Sequence, residues 1–357
     1  MSKDLKLSSL EWKEFKLNDL FERIEKGKCQ NTNKETKESI NGVSFLSATL
    51  NNNGVSGFVE PNYLLQKGNC IMFVNQGDGG AGYSVYKKED FISTTSNSFG
   101  YAKWINKYTG LFVASILCRF KEKYTFGYGR TENRLRKDKV FLPINSKGQP
   151  NWEFMENFMR QIEEEKIQKL IKYFENKIKL LKSEIIEYNL NLNSVQWSEF
   201  TLNKIFPFIM RGKRLIARDR IKGNIPYYSA SKENNGLTDM IKNPLFIEKN
   251  KLIISTFCNC FFVEGEFTAS DEITIFGNDK LNKYNGLFIS YIVKSNAIKY
   301  AFGFKAFSER LARQIINLPI DSKGEPHWEF MENFMREIEY KKLNIYLDYI
   351  KNKTATN

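Results

Sequence analysis

The side chains that could carry chemistry in this sequence sit in patterns that fail one requirement each. Gly77-Asp78-Gly79-Gly80-Ala81-Gly82 has the spacing G-x-G-x-x-G, which holds a pyrophosphate where it follows a strand and opens a helix. It follows the apolar run Cys70–Val74, but Tyr83-Ser84-Val85-Tyr86 comes next and reads as strand, so a glycine-rich hairpin or substrate-facing loop is expected. Asn243-Pro244-Leu245-Phe246 lacks the second proline of the Asn-Pro-Pro-Tyr/Phe motif of amino-methylating enzymes and has no glycine-rich cofactor loop upstream; a plain loop is expected. Cys258-Asn259-Cys260 has no partner cysteines, which predicts a buried strand rather than a metal site. Histidine occurs once, at His327. One imidazole cannot build a multi-histidine zinc site or a two-histidine iron site. No pair of carboxylates with a lysine stands out as a magnesium site of the nuclease kind.

Two basic clusters remain. Lys121, Lys123, Arg130, Arg134, Arg136, Lys137 and Lys139 crowd one segment, interleaved with Tyr124, Phe126 and Tyr128; Arg211, Lys213, Arg214, Arg218, Arg220 and Lys222 crowd another, opposed only by Asp219. An isolated cluster of this kind is usually a solvated face. Here the net charge of +13 is divided unevenly, at +8 over 1–150, −1 over 151–195, +6 over 196–326 and zero beyond. Both clusters fall in the basic blocks, and duplex DNA carries one negative charge per ~1.7 Å of axis, so contact with phosphates is the favoured reading.

The elements that must position these groups come in duplicate. Lys147–Arg160 recurs as Lys323–Arg336 at an offset of 176, with Trp152–Arg160 and Trp328–Arg336 identical. Tyr108-Thr109-Gly110-Leu111-Phe112, Phe126-Gly127 and Leu142-Pro143-Ile144 have counterparts at the same offset. Upstream the offset grows to 182 at Ser47-Ala48 and Asn53-Gly54, and to 185 at Trp12, Glu14-Phe15, Leu17-Asn18 and Gly27-Lys28. The frame is shared and the interior between about 55 and 100 diverges, as in two readers of different things. His327 corresponds to Asn151 in the other copy, so a cap or surface residue at a helix start is its expected role.

No proline or glycine interrupts Trp152 to about Tyr188, and Ile167, Ile171, Phe174, Ile178, Leu181 and Ile185 step by 4 and 3. This predicts a long helix with one heptad seam, which needs a partner. Met331, Phe334, Met335, Ile338, Leu343, Leu347 and Ile350 predict a second helix ending near Asn352. Between the helices, short β-rich runs alternate with Gly/Asn turns, and one apolar helical stretch lies near 110–120 and another near 286–298. The expected architecture is α+β: two α/β globules of mixed sheet, each followed by a helix, the helices packed as an antiparallel coiled coil in a pseudo-two-fold repeat. The boundaries are 1–150, 151–195, 196–326 and 327–357. With 357 residues, 41% hydrophobic, the chain is large enough for two packed domains. The five cysteines lack framework spacing, no apolar run spans a bilayer and the first residues lack a signal's apolar region, so a cytoplasmic location is expected.

The opening Trp-x-x-Phe-x-Leu-x-x-[Leu/Ile]-Phe at Trp12–Phe21 and Trp197–Phe206, the Leu-Pro-Ile before each helix and the twin Trp-x-Phe-Met-Glu helix starts resemble the DNA-specificity (S) subunits of type I restriction–modification systems. The order globule, long helix, globule, helix covers nearly the whole chain, and its brief last helix leans towards the compact type IIB style. The resemblance implies a non-catalytic subunit. Each globule is a target-recognition domain reading half of a bipartite site in double-stranded DNA, and the helices dock adenine-methyltransferase subunits, with an endonuclease subunit a further partner. It implies no cofactor on this chain, S-adenosylmethionine, magnesium and ATP belonging to partners. Phosphate contacts are then expected from Lys26, Lys28, Lys121, Lys123, Arg130, Arg134, Arg136, Arg211, Lys213, Arg214, Arg218 and Lys305. Base readers are expected among Asn75, Gln76, Asp78, Tyr83 and Asn97 in the first half, and Ser231, Lys232, Asn234, Asn235 and Asn259 in the second. The alternative is a non-catalytic coiled-coil scaffold or RNA-binding adaptor, which explains charge and heptads but not a shared frame with divergent interiors.

Overall fold

The computed structural model describes residues 5–77, 80–124, 127–186, 190–295 and 305–355. The chain divides into two compact units, Met1–Lys169 and Leu170–Asn357. This division falls within the long helix rather than at its start.

In the first unit β1 (Trp12–Lys16) leads into a single helical turn, α1 (Leu17–Leu20), and β2 (Arg23–Lys26). Then follow α2 (Thr32–Glu35), β3 (Glu38–Leu46), β4 (Val55–Val59), β5 (Cys70–Val74), β6 (Ser84–Lys87), β7 (Phe91–Ser93) and β8 (Asn97–Tyr101). The unit continues with α3 (Lys107–Leu117), α4 (Glu132–Lys137), β9 (Lys139–Pro143) and the start of α5 (Trp152–Glu184). The sheets run β2-β8-β5-β6 and β4-β3-β7, with β1 pairing β9. β3 and β7 run parallel, so the sheet content is mixed as expected. β5 is buried at all five positions and forms the floor against which α3 packs.

The second unit repeats this order. It runs β10 (Trp197–Thr201), α6 (Leu202–Ile205), β11 (Phe208–Arg211), β12 (Lys222–Tyr228), β13 (Leu237–Ile241), β14 (Glu248–Ser255), β15 (Cys260–Ala269) and β16 (Ile273–Gly277). It closes with α7 (Lys283–Ser295), α8 (Ser308–Ala312), β17 (Ile315–Pro319) and α9 (Trp328–Ala355). The difference is β15, one long strand where the first unit has β6 and β7. It pairs with both β14 and β12 and fuses the two sheets into one, β11-β16-β14-β15-β12-β13.

Each globule is fastened to its helix by the duplicated segment. Asn151 caps α5 by accepting the Phe154 N–H at 3.1 Å, and His327 Nδ1 accepts the Phe330 N–H at 3.3 Å at the start of α9, the cap role expected of this histidine. Trp12 stacks on Phe112 and Trp197 on Phe288, at 6.5 and 6.2 Å between ring centroids.

Within the second unit α5 and α9 run antiparallel. Phe174 meets Tyr346, Lys177 meets Glu339 and Glu184 meets Arg336, so position numbers rise along one helix as they fall along the other. Of the predicted seam, Leu181 and Ile185 are buried while Ile167, Ile171, Phe174 and Ile178 are half-buried. α5 ends at Glu184, four residues short of the expected Tyr188, which lies outside the described residues. Asn333 Oδ1 takes the Ile186 N–H at 3.0 Å, and Glu337 Oε2 takes that of Leu190 at 3.1 Å, leading the chain out of the helix. α9 runs three residues past the expected Asn352, and its Ile338 faces solvent instead of the seam.

Candidate nucleic-acid interface

The same loop scaffold is built in both units from different side chains. Its anchor is a glycine after the second strand of each unit. A Cβ on Gly27 would lie 2.0 Å from the Thr94 carbonyl oxygen, and one on Gly212 would lie 2.3 Å from that of Ser270. Only glycine permits this approach. Gly27 N–H donates to Asn97 O and Gly212 N–H to Ile273 O, both at 2.9 Å. Asn75 N–H donates to Ser96 O as Thr256 N–H donates to Glu272 O; Arg130 N–H donates to Asn75 O as Ala306 N–H donates to Thr256 O. These bonds gather the loops after β2, β5 and β7 with the start of α4, and likewise the loops after β11, β14 and β15 with the start of α8.

On this common frame the side chains differ at nearly every equivalent place. Lys26 corresponds to Arg211, Thr95 to Asp271, Ser96 to Glu272, Gln76 to Phe257 and Thr131 to Phe307. In the first unit the loops enclose a pocket of about 170 Å³ lined by Lys26, Asn75, Gln76, Thr95, Ser98, Thr131 and Glu132. In the second, Arg211 donates to the Asp271 carbonyl at 2.7 Å and Arg214 to its carboxylate at 2.6 Å, while Lys305 pairs with Glu272 at 3.4 Å. The Asp271 contact raises the pKa of Arg214, chiefly through that hydrogen bond. Asp271 and Glu272 escaped the sequence reading because carboxylates are not expected in a phosphate-binding loop.

Several candidate residues are reassigned. Arg130 cannot touch phosphate: it is fully buried, paired with Asp138 at 2.9 Å and enclosed by the rings of Phe73, Phe120 and Tyr124 at 5.1 to 5.6 Å. Burial lowers its pKa, with the Asp138 carboxylate opposing, and burial likewise raises that of Tyr124, whose hydroxyl also bonds Asp138. Asn97 is fully buried on β8 and donates to Ser93 Oγ at 3.1 Å, so it is no loop reader. Asn259 is also buried, its N–H donating to Ser255 Oγ at 3.1 Å. Asn75 is 5% exposed and donates to Ser98 Oγ. Cys258 holds φ +61° in a tight turn before β15, so the Cys-Asn-Cys run is a buried turn and strand start rather than a strand throughout.

The remaining candidates are exposed or half-buried, with Asp78 outside the described residues. Lys26, Lys28, Gln76, Lys121, Lys213, Lys232, Asn234 and Asn235 are exposed, and Tyr83 and Ser231 half-buried. Asn234 and Asn235 hold φ 48° and 53°, as do Asn52 and Asn53 in the first unit, so they make a left-handed turn that both copies keep. The first basic cluster is largely engaged within the protein: Lys123 with Asp138, Arg136 with Glu132, Lys139 with Glu14, and Arg134 stacked on Tyr128 at 3.8 Å. In the second, Arg218 stays open, its side chain 83% exposed beside Asp219. The Gly77–Gly82 segment joins adjacent antiparallel strands β5 and β6, the hairpin expected, and no helix follows it. Asn243 ties its loop to Ile221 N–H and Asp219 O. Among the described residues no group of three metal-ligating side chains forms, no helix is long and apolar enough to cross a membrane, and all five cysteines are free.

Two copies of one loop frame, each displaying its own side chains, define a protein with two recognition domains built on one plan. The chain belongs to the type I restriction modification DNA specificity domain family, whose profile matches residues 9–172 and again 194–346. It is similar to the specificity subunit of the type II restriction enzyme BcgI of Heyndrickxia coagulans, 24% identical over 340 residues that cover 93% of this chain and 96% of that one. Its fold is similar to the crystal structure of the type I restriction–modification S subunit from M. genitalium, with TM-score 0.53 and 16% identity, covering all of this chain and 96% of that one. The chain is thus a DNA sequence-specificity subunit of a restriction–modification system, a class that directs rather than performs catalysis. Family membership decides against the scaffold and RNA-adaptor alternative.

Proposed function

We propose that each globule reads one half of a bipartite site in double-stranded DNA through the loops gathered at Gly27 and Gly212, and that the helical segments hold the two readings at a set spacing. The recognition domains take the boundaries 1–150 and 196–326, with 151–195 and 327–357 as helical spacers. One observation carries this reading: equivalent backbone hydrogen bonds hold loops whose side chains differ between units. Lys26, Lys28, Lys121, Arg211, Lys213, Arg214, Arg218 and Lys305 meet phosphates and fix register. Gln76, Tyr83, Ser231, Lys232, Asn234 and Asn235, with Asn75 behind them, face base edges, where a bidentate pair contributes ~1–3 kcal/mol of discrimination. Adenine-methyltransferase subunits dock on the helices, an endonuclease subunit completes the complex, and S-adenosylmethionine, magnesium and ATP bind to those partners in the cytoplasm. The likeness to the specificity subunit of the type II enzyme BcgI supports the compact type IIB style of assembly.

Methylome sequencing of a host that expresses this chain together with its gene neighbours tests the reading. A methylated motif of two unlike half-sites around an unread spacer is expected. The purified chain, incubated with S-adenosylmethionine and DNA, is expected to transfer no methyl groups. A continuous motif, or methyl transfer by the chain alone, would overturn the reading.

A further inference from the structure

We propose that Glu163 and Glu339 are positioning residues that set the angle of each globule on its helix, and so set how strictly the complex holds its spacer length. The inference rests on the bipartite reading above and adds to it the residues that fix one of its dimensions.

Five residues of a clamp recur at the offset of 176. In the first unit Asn106 caps α3, accepting the Tyr108 and Thr109 N–H groups at 2.8 and 3.0 Å, and donates from Nδ2 to Glu156 Oε2 on α5 at 2.7 Å. Arg160 grips Glu156 Oε1 with two hydrogen bonds and lies over the Tyr108 ring at 4.1 Å. The Tyr108 hydroxyl donates to Glu163 Oε2 at 2.8 Å, and Lys107 takes the other oxygen of that carboxylate. In the second unit Asn282 donates to Glu332 Oε2 at 2.6 Å, Arg336 grips Glu332 and covers Tyr284 at 4.3 Å, and the Tyr284 hydroxyl donates to Glu339 Oε2 at 2.8 Å. Glu339 also takes Lys177 of α5.

The apolar contact between globule and helix does not fix their angle by itself, since burial is non-directional. Charge-assisted hydrogen bonds are directional, and this set ties the first turn of α3 or α7 to two successive turns of α5 or α9. Two points of attachment about 7 residues apart on one helix face stop the globule from rocking. The stakes are geometric: a tilt of about 10° at the end of a lever of about 20 Å moves the tip about 3.5 Å, one base-pair step. The hydrogen bonds that make the clamp involve none of the loops at Gly27 or Gly212, so it is expected to act on spacing and not on sequence.

The test uses the complete complex in its host, read by methylome sequencing. In the double variant Glu163→Ala/Glu339→Ala, methylation at sites with a spacer one pair shorter or longer is expected to rise about tenfold, the ratio that 1.4 kcal/mol produces. Both half-site sequences should stay unchanged. Tyr108→Phe/Tyr284→Phe keeps the stacked rings and removes only the hydroxyls; it should relax the spacer in the same direction. Glu163→Gln/Glu339→Gln keeps an acceptor for each tyrosine and should sit nearer the parent. An unchanged spacer distribution in the tyrosine variant, a changed half-site sequence, or loss of all methylation at normal abundance would each overturn the proposal. If the parent complex itself yields no bipartite motif, the proposed function fails first and takes this inference with it.

Discussion

Removing the Asp138 carboxylate is expected to destabilise the first unit by ~3–5 kcal/mol, the usual effect of leaving a buried charge without its partner. Arg130 is fully buried, and Asp138 is 2% exposed. Asp138 accepts from Arg130 Nε at 2.9 Å, Tyr124 Oη at 2.8 Å and Lys123 Nζ at 2.8 Å. Set against a total of ~5–15 kcal/mol for a domain, such a loss is severe. The second unit shows a neutral solution at the same place. Ala306 stands where Arg130 does and Gln314 where Asp138 does, with Leu17 N–H donating to Asp138 O as Leu202 N–H donates to Gln314 O. The charge pair is therefore dispensable to the fold, although neither partner is dispensable alone. Asp138→Asn with Arg130 intact should lose most of this stability, and Arg130→Met/Asp138→Asn should recover more than half. The asparagine still accepts from Tyr124, and methionine fills much of the space among the rings. Denaturant unfolding followed by tryptophan fluorescence reads the effect, since Trp104 and Trp152 stack at 4.1 Å in this unit. If the double variant were as unstable as the single one, the missing hydrogen bonds and not the stranded charge would be the cause.

Arg130 also shows why part of the site was hidden in the sequence. Among seven cations in nineteen residues, a buried arginine and a solvated one look alike. What separates them is the company of Phe73 on a distant strand and Asp138 beyond α4, which only the fold assembles. Asn97 reads as a loop residue because β8 runs Asn-Ser-Phe-Gly-Tyr, with polar residues at its start, yet all five positions are buried. The heptad seam and the duplicated frame were legible for the opposite reason. Periodicity and self-similarity are local signals, and the residues producing them pack where their spacing puts them. The Gly27-Lys28 and Gly212-Lys213 match was visible too, but its meaning was not: two chain segments so close that a Cβ would lie 2.0 or 2.3 Å from a carbonyl oxygen leave no trace beyond the glycine itself. Glu163 and Glu339 lie three residues past the repeated segment and read as ordinary helix-surface acids; only their tyrosine partners distinguish them.

The acidic pair changes what the second basic cluster is expected to do. Reversing Arg211, Lys213 and Arg214 to glutamate should weaken binding to every duplex by a similar factor and flatten the salt dependence by ~0.9 for each phosphate no longer neutralised. The three do not contribute alike. Lys213 is exposed and has no ion pair among the described residues, whereas Arg211 and Arg214 are already turned towards Asp271. Their side chains remain 52% and 55% exposed, and a bridge that open is worth only ~0–1 kcal/mol, so a phosphate can displace the carboxylate. Asp271→Asn should therefore act in the opposite sense to the reversals. It takes the charged partner from Arg214, leaves Arg211 on the backbone carbonyl, and removes a charge that repels phosphate, so affinity for unrelated duplexes should rise and its fall with salt should steepen. Titrating site-containing and unrelated duplexes between about 50 and 200 mM salt, an interval over which several phosphate contacts change affinity by orders of magnitude, separates the outcomes. Tighter binding to both duplexes alike makes Asp271 a brake on non-specific association. Weaker binding to the site alone would instead make it a reader of an exocyclic amino group, since a carboxylate at a base edge accepts from cytosine N4 or adenine N6. Equal binding by the triple reversal and the parent at low salt would mean that this cluster is solvated surface and that the second unit meets phosphate elsewhere.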